Sequence, residues 1–515
     1  MDSSPTFARP GLHMTKPAPF IDRFGLWTAE QTRQARALKA RIAKHKLKLI
    51  RLVWSDTHGH ARTKEVTIPA FLSALSSGYN INVATTTLDA SGARTFASFT
   101  PGGGMGLEEM TGSPNLTIVP DPSTFRVLPW APGIGWVICD EYFNTGIPFH
   151  FSPRQLLKKQ LARLKQQKYG LTVGLEVEWY LLRIADDRLA PDNIGQIGIK
   201  GKPTRVTAVE PGYSYHSESN FDIMQPVLTA LCEHFEAIDL PLRSIENEWG
   251  PGQVECTFAP KDALTTADNL ILFRSATRQI TRRMGYLASF MARPAIPGFC
   301  ASGWHLHQSL CDASGKKNLF TPNGKDASLG DPLSGIGMQY LAGVLAHAQA
   351  ATPFTTPTVN GYRRYKPNSL APDRATWAYD HRGVMARVLG APYDPATRIE
   401  NRIGEPSANP YLYIAAQIVS GLDGIVHKSE PGPQELNPYN SEFPLLPKTL
   451  PDALAALEGS ALFREQFGET FIHYFLAFKR TELGRFEKWK AEHGVAGHPA
   501  DEPTEWEQNE YFDYF

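Results

Sequence analysis

Val173-Gly-Leu-Glu176-Val-Glu178-Trp-Tyr180 is the stretch on which the reading of this chain turns. It predicts a β-strand. Side chains alternate between the two faces of a strand, so Glu176 and Glu178 share one face while Val177 and Trp179 share the other. Two carboxylates side by side on a sheet are costly unless something positive lies between them. A solvated strand face is the plain alternative for this segment taken alone.

Three later stretches shift the balance. Glu246-Asn-Glu248-Trp-Gly-Pro-Gly-Gln-Val-Glu255 repeats the two-residue spacing, then turns and returns a third glutamate. It predicts a hairpin that delivers Glu248 and Glu255 to one site. Ser302-Gly-Trp-His305-Leu-His307 puts two imidazoles on one strand face, beside those glutamates. In Arg398-Ile-Glu400-Asn-Arg402-Ile403, one face carries Arg, Glu, Arg, and the other carries Ile399, Asn401 and Ile403. Arg364, Arg382 and Arg387 lie upstream. Arginine presents planar donors that fit carboxylates and phosphates, although any one of these arginines alone reads equally well as a surface ion pair. Oxygen donors with one or two imidazoles suit Mg²⁺ or Mn²⁺ better than zinc. Metals ringed by arginines are the parts required for phosphoryl transfer. No G-x-x-x-x-G-K-[ST] loop is present, and Gly102-Gly-Gly-Met-Gly106 reads as an ordinary loop.

The rest of the chain bounds this chemistry. It has 515 residues, 42% hydrophobic and 20% charged, with 52 basic and 52 acidic side chains. That is a globular balance with length for more than one unit. Zero formal net charge gives no reason to expect nucleic acid or an anionic membrane as partner. The five cysteines (Cys139, Cys232, Cys256, Cys300 and Cys311) form no C-x-x-C pair, so free thiols in a reducing compartment are expected. No apolar run spans a bilayer, and the Pro-rich start lacks signal-peptide character. A cytoplasmic enzyme follows as the expectation.

Residues 1–27 are expected to be a mobile extension, 28–145 an N-terminal domain and 146–515 a catalytic domain. Thr28 and Gln31 suggest a capping box opening a helix to Lys44. Strands are expected at Leu47–Trp54, Tyr79–Leu88 and Asn115–Pro120, with a turn at Asp56–Gly59. Arg126–Phe151, rich in Pro, Gly and aromatics, reads as a connector. Ser152-Pro153 predicts the start of a helix with an apolar Leu156, Leu157, Leu161, Leu164 face. Further helices are expected at Leu270–Met284, Leu341–Ala348 and Tyr411–Leu422. The aromatic tail Glu505–Phe515 reads as a packed or inter-subunit segment.

In this order the motifs G-x-E-x-E, E-x-x-P-G-Q-x-E, G-x-H-x-H, N-x-Y-x-R and R-I-E-x-R followed by A-N-P-Y resemble those of the glutamine synthetase superfamily, over roughly Thr28 to Arg480. The resemblance implies an α+β fold: a β-grasp-like N-terminal domain, and a catalytic domain built on a curved antiparallel sheet with flanking helices. It also implies a homo-oligomer, a double-ring dodecamer with active sites between subunits. By position, Glu178, Glu248 and Glu255 match ligands of one metal, and Glu176, His305 and Glu400 those of a second, with two or three ions per site. His307, Ser309, Arg387 and Arg398 match ATP contacts. Arg364 and Arg402 match residues that hold glutamate carboxylates, and Arg382 matches a phosphate-stabilising arginine. Asp89 matches an aspartate that reaches the neighbouring subunit's site and helps deprotonate the amine. The implied reaction phosphorylates the glutamate side chain from ATP, and an amine then displaces phosphate.

The chain departs from the family at two places. Six residues after Arg364, where the family carries a glutamate that binds ammonium, stands Leu370. An Asn-Gly pair of the glutamate-binding loop aligns with Cys300-Ala301. Ammonium needs anionic partners, and an amine with an apolar body needs room instead. Leu370, with Trp304 and Trp377 as nearby aromatics, suits such a substrate. Within the superfamily the chain looks most like the γ-glutamylanilide synthetases of aromatic-amine degradation. The competing readings are an ordinary ammonium-using glutamine synthetase, an alkylamine or polyamine ligase, and a catalytically inert relative. Retention of all six metal-ligand positions argues against the last.

Overall fold

The structure is a computed structural model that describes residues 18–324, 332–366, 369–495 and 501–515. Its strands form two sheets. The first contains β1 (Leu49–Ser55), β2 (Ala61–Thr67), β3 (Tyr79–Asn82), β4 (Asn115–Pro120), β5 (Arg126–Val127) and β6 (Ile134–Tyr142). The order is β2-β1-β6-β4-β3, with β5 on β6. β1 and β6 run parallel, and the other pairs are antiparallel. The helix Ala29–Lys44 precedes β1 and opens with the reciprocal Thr28–Gln31 capping box.

The second sheet contains β7 (Tyr169–Asp186), β8 (Arg205–Ala208), β9 (Leu242–Asn247), β10 (Gln253–Phe258), β11 (Lys261–Asp262), β12 (Tyr286–Ser289), β13 (Trp304–Asp312), β14 (Trp377–Tyr379), β15 (Ala386–Leu389) and β16 (Arg398–Gly404). Its order is β14-β15-β16-β13-β7-β10-β9, and β8, β11 and β12 also pair with β7. All pairs are antiparallel except β14–β15. One face packs on the helices Ala263–Arg283 and Pro410–His427. Leu171, Val173, Leu175, Val177 and Trp179 of β7 all point into this core, and Trp179 stacks on Phe290 at 6.0 Å. The opposite face keeps Glu176 and Glu178 half-buried. The alternation expected from the sequence is therefore the alternation observed.

Several sequence expectations need correction. Arg126–Phe151 is not a connector, because β6 occupies the centre of the first sheet between β1 and β4. Its Trp136, Val137, Ile138 and Cys139 are all buried. A strand covered on both faces reads as a continuous apolar run without alternation, and the Pro and Gly residues lie in the flanking turns. The Tyr79 strand stops at Asn82, whose side chain accepts from the Ala84 N–H at 2.7 Å and starts a 3₁₀ turn, Val83–Thr86. Of the expected mobile extension, residues 1–17 lie outside the described residues. Phe20–Phe24 is a short helix whose Ile21 is buried against Val119 and Tyr142. The tail is packed: Trp506, Tyr511, Phe512 and Phe515 are buried.

One buried cluster ties the two sheets together. Arg154, on the helix Pro153–Gln166, is 3% exposed. Its guanidinium donates to Asp268 at 2.9 and 2.8 Å, to Asp121 at 2.8 Å and to Asp140 at 2.7 Å. Asp121 follows β4, Asp140 lies in β6, and Asp268 lies on the helix behind the second sheet. Burial opposes ionisation of Asp121, yet Arg154 holds its carboxyl down at about 2.

Candidate active site

Register across the second sheet assembles the charged residues in three rows. Arg387 on β15 faces Glu400 on β16, and Glu400 faces His307 on β13. His305 on β13 faces Glu176 on β7. Glu178 on β7 faces Glu255 on β10, which faces Glu246 on β9. Directly opposed residues of antiparallel strands share a face, so the rows form one surface. The hairpin brings Glu246 rather than Glu248 opposite Glu255. Glu248 lies at the turn, with its N–H donating to the Gln253 carbonyl at 2.9 Å.

Two sets of donors have ligand atoms within 4.8 Å of one another: Glu176, Glu255 and His305, and Glu176, His307 and Glu400. These sets regroup the expected ligands and add His307, which the family resemblance placed on the nucleotide side. The His305 Nδ1 lies 2.5 Å from Glu176, and the His307 Nε2 lies 3.1 Å from it. Glu178 accepts from the Gly303 N–H at 2.9 Å and from the Gln253 amide at 3.1 Å. Gln253 also donates to the Ala301 carbonyl at 3.1 Å and the Ser302 hydroxyl at 2.9 Å. A Cβ on Gly303 would come within 2.9 Å of the Arg364 guanidinium, so only glycine leaves that arginine its place.

The electrostatics of these rows call for a cation. Burial first, then the carboxylates of Glu176, Glu178, Glu248 and Glu246, push the Glu255 carboxyl up to about 11. Burial, then Glu178 and Glu246, push Glu248 up to about 8. Burial raises Glu178, against the pull of His305, the Gly303 N–H and Arg364. Glu176 behaves oppositely: burial resists its charge, but His305 and His307 hold it far below the usual carboxylate range. A carboxylate row that repels itself, flanked by two imidazoles, is a donor set that fits a hard divalent ion.

The arginines lie on the β16 side. Glu400, fully buried, accepts from Arg402 and, at 2.9 Å, from Arg387. Arg387 also meets Asp380 at 2.5 Å. Arg398 donates to the His307 Nδ1 at 3.1 Å, and Arg364 donates to the Ile403 carbonyl at 3.1 Å. Arg402 donates to the Arg382 carbonyl at 3.1 Å, while the Arg382 side chain is exposed. Ser309 is buried on β13 opposite Thr172.

Three expectations fare differently. Asp89 is not gathered here within one chain. It is 1% exposed and accepts from the Ser91 N–H and hydroxyl, the Ala93 N–H and, at 2.7 Å, Arg485. A carboxylate with both oxygens occupied is a poor general base in this state. Trp304 and Trp377, expected near the amine, are 0% and 3% exposed and belong to the core. Leu370 is 50% exposed on a loop, at φ +59°. Gln253, Gly303 and Asp380 were not singled out from the sequence. The Gln of E-x-x-P-G-Q-x-E was a visible signal for the first, but Asp380 carries none.

The chain is similar along most of its length to known proteins. The family model described as glutamine synthetase, catalytic domain, matches residues 150–495. A γ-glutamylanilide synthase from Acinetobacter sp is 45% identical over 504 residues, 97% of this chain and 99% of that protein. A glutamine synthetase from Halobacterium salinarum is 33% identical over 414 residues, 78% of this chain and 84% of that one. The solved structure of a GmaS/ADP complex superposes with a TM-score of 0.71 at 26% identity, covering 88% of this chain and 98% of that one.

Proposed function

This chain belongs to the glutamine synthetase family, and on that footing we propose that it is an ATP-dependent ligase joining the γ-carboxylate of L-glutamate to an aromatic amine of the aniline type. The observation that carries the amine half is Leu370: where the family's flap holds a carboxylate for ammonium, this chain holds an exposed apolar side chain. An aromatic amine is uncharged at neutral pH and needs no such carboxylate. The full-length similarity to a γ-glutamylanilide synthase supports the same reading.

The proposed division of labour follows the family resemblance rather than the rows. Glu178, Glu248 and Glu255 hold one divalent ion, and Glu176, His305 and Glu400 a second. Mg²⁺ or Mn²⁺ so bound supplies charge neutralisation at the transferring phosphoryl group. Arg364 and Arg402 hold the glutamate carboxylates, and Arg382, exposed at the rim, meets the phosphoryl group. His307, Ser309, Arg387 and Arg398 take the nucleotide. A γ-carboxylate oxygen of glutamate attacks the terminal phosphorus of ATP and ADP leaves. The amine nitrogen then attacks the carbonyl carbon of the γ-carboxyl group, and the bond from that carbon to the phosphate oxygen breaks. The nitrogen's proton ends on inorganic phosphate. Fixed donors in a partly dry site stabilise the charge that develops in both steps. The proposed assembly is a double-ring dodecamer in which Asp89 serves a neighbouring site. No helix among the described residues is long and apolar enough to cross a membrane.

The test offers ammonium, isopropylamine, putrescine and aniline in turn, with Mg²⁺, ATP and glutamate, and records phosphate release. Aniline is expected to give the highest kcat/KM. Brisk turnover with ammonium and none with aniline would sink the proposal. Leu370→Glu is expected to raise the ammonium-to-aniline ratio roughly tenfold, the size of one mismatched contact in a binding pocket. An unchanged ratio would mean that Leu370 does not line the amine site.

A further inference from the structure

With Trp304 and Trp377 buried, the structure supplies another set of aromatics beside the carboxylates. Trp249 directly follows Glu248, and its ring lies parallel to that of Tyr215, with centroids 5.2 Å apart and an interplanar angle of 6°. Tyr215 also stacks on His216 at 3.8 Å. These rings are not core: Trp249 is 47% exposed and Tyr215 45%. Tyr215 stacks on both His216 and Trp249, whereas Tyr215 is the one ring that Trp249 meets among the described residues.

The segment is anchored at the edge of the glutamate rows. The Tyr213 N–H donates to the Trp249 carbonyl at 2.7 Å, and the His216 N–H to the Asn247 carbonyl at 3.2 Å. The His216 ring lies 3.2 Å from the Glu246 carboxylate. The Tyr213 hydroxyl donates to the Gly298 carbonyl at 2.6 Å and lies 3.7 Å from the Cys300 Sγ, on the loop that departs from the family pattern. Tyr213 and His216 both adopt left-handed φ, +57° and +55°. Non-glycine residues hold that conformation only where their surroundings over-determine it. The Tyr215 hydroxyl is pushed up to about 12, by partial burial and then by Glu248, Glu246 and Glu255, which sets the platform close to the carboxylates.

We propose that Tyr215 and Trp249 form a stacking platform that receives the ring of the aromatic amine and brings its nitrogen to the carboxylate-lined site. The inference rests on the aromatic-amine reading above and adds the element that selects the ring. Offset stacking needs no charge on the ligand. It favours anilines over alkylamines of similar size, which have no π-face to offer. Leu370 then removes a penalty against an apolar amine, whereas the platform supplies the attraction.

The test compares the parent enzyme with Trp249→Ala and Trp249→Phe at saturating ATP and glutamate, using aniline and isopropylamine, with the assembly state read by mass photometry. Trp249→Ala is expected to lower the aniline-to-isopropylamine ratio of kcat/KM about tenfold, chiefly through KM for aniline. Trp249→Phe, which keeps a ring face, is expected to restore most of it. A parental ratio in Trp249→Ala would overturn this inference alone. So would dissociation of the assembly by Trp249→Ala, since the rings would then be a contact between copies. A parent enzyme inactive with every aromatic amine overturns the substrate reading first, and the platform with it.

Discussion

Glu255→Gln is expected to lower ligase turnover about a thousandfold, the scale on which a site loses rate when it loses a group that stabilises developing charge. The fold should hardly notice. Glu255 stands between Glu178 and Glu246 in a row of three facing carboxylates. With its carboxyl pushed up to about 11, Glu255 already holds its proton at neutral pH without metal, and an amide of almost the same shape replaces that neutral group. The metal-free variant should melt within about 2 °C of the parent, because no apolar contact is lost and one neutral group replaces another. What should disappear is the rise in melting temperature that Mg²⁺ or Mn²⁺ gives the parent. Calorimetry with and without the ion, beside a phosphate-release assay, reads all three quantities. A variant that keeps both its turnover and its stabilisation by metal would remove Glu255 from the ligand set.

Arg154→Met is expected to have the opposite profile, with a large loss of stability and no direct effect on the chemistry. Its guanidinium is the shared counter-charge of Asp121, Asp140 and Asp268. Among the described residues, only Asp140 of these three has a second cationic partner in an ion pair, Lys158 at 2.6 Å. Breaking a buried ion pair by removing one member typically costs about 3–5 kcal/mol, because the remaining charge is left uncompensated in a poor solvent. Denaturant unfolding should show that loss. Arg154→Lys should recover only part of it, since a single ammonium cannot reproduce the forked donors that Asp268 takes from two nitrogens. A cost below about 1 kcal/mol would mean that the three carboxylates shed their charge or find water.

Much of this was legible before the structure because strand geometry is periodic. The spacing of Glu176 to Glu178, and of His305 to His307, tells which side chains share a face. Register then needs only to align the strands, and the rows Arg387–Glu400–His307 and Glu178–Glu255–Glu246 follow. The helix start at Thr28 was readable because a capping box is local. β6 was not, since a strand buried on both faces has no polar side to betray its period. The aromatics chosen for the amine site were wrong for a related reason. Composition records that Trp304 is aromatic but not that it lies against Tyr413 in the core, with ring centroids 4.8 Å apart. Tyr215 and Trp249 are 34 residues apart in the chain, and nothing local pairs them. Asp89 shows the same limit, because Arg485 reaches it from nearly 400 residues away.

β7 has a consequence for how this protein can change over generations. Its eighteen residues pair with five other strands, and two of the proposed ligands sit near its middle. One residue inserted there would turn Glu176 or Glu178 into the core and break pairings on both sides at once. Length variation is therefore closed to the strand that carries Glu176 and Glu178. The residues proposed to bear on the choice of amine, Tyr215, Trp249, Cys300, Ala301 and Leu370, all lie in turns and loops outside the strands. Heritable drift can alter the nucleophile a descendant accepts while leaving the way it activates glutamate untouched.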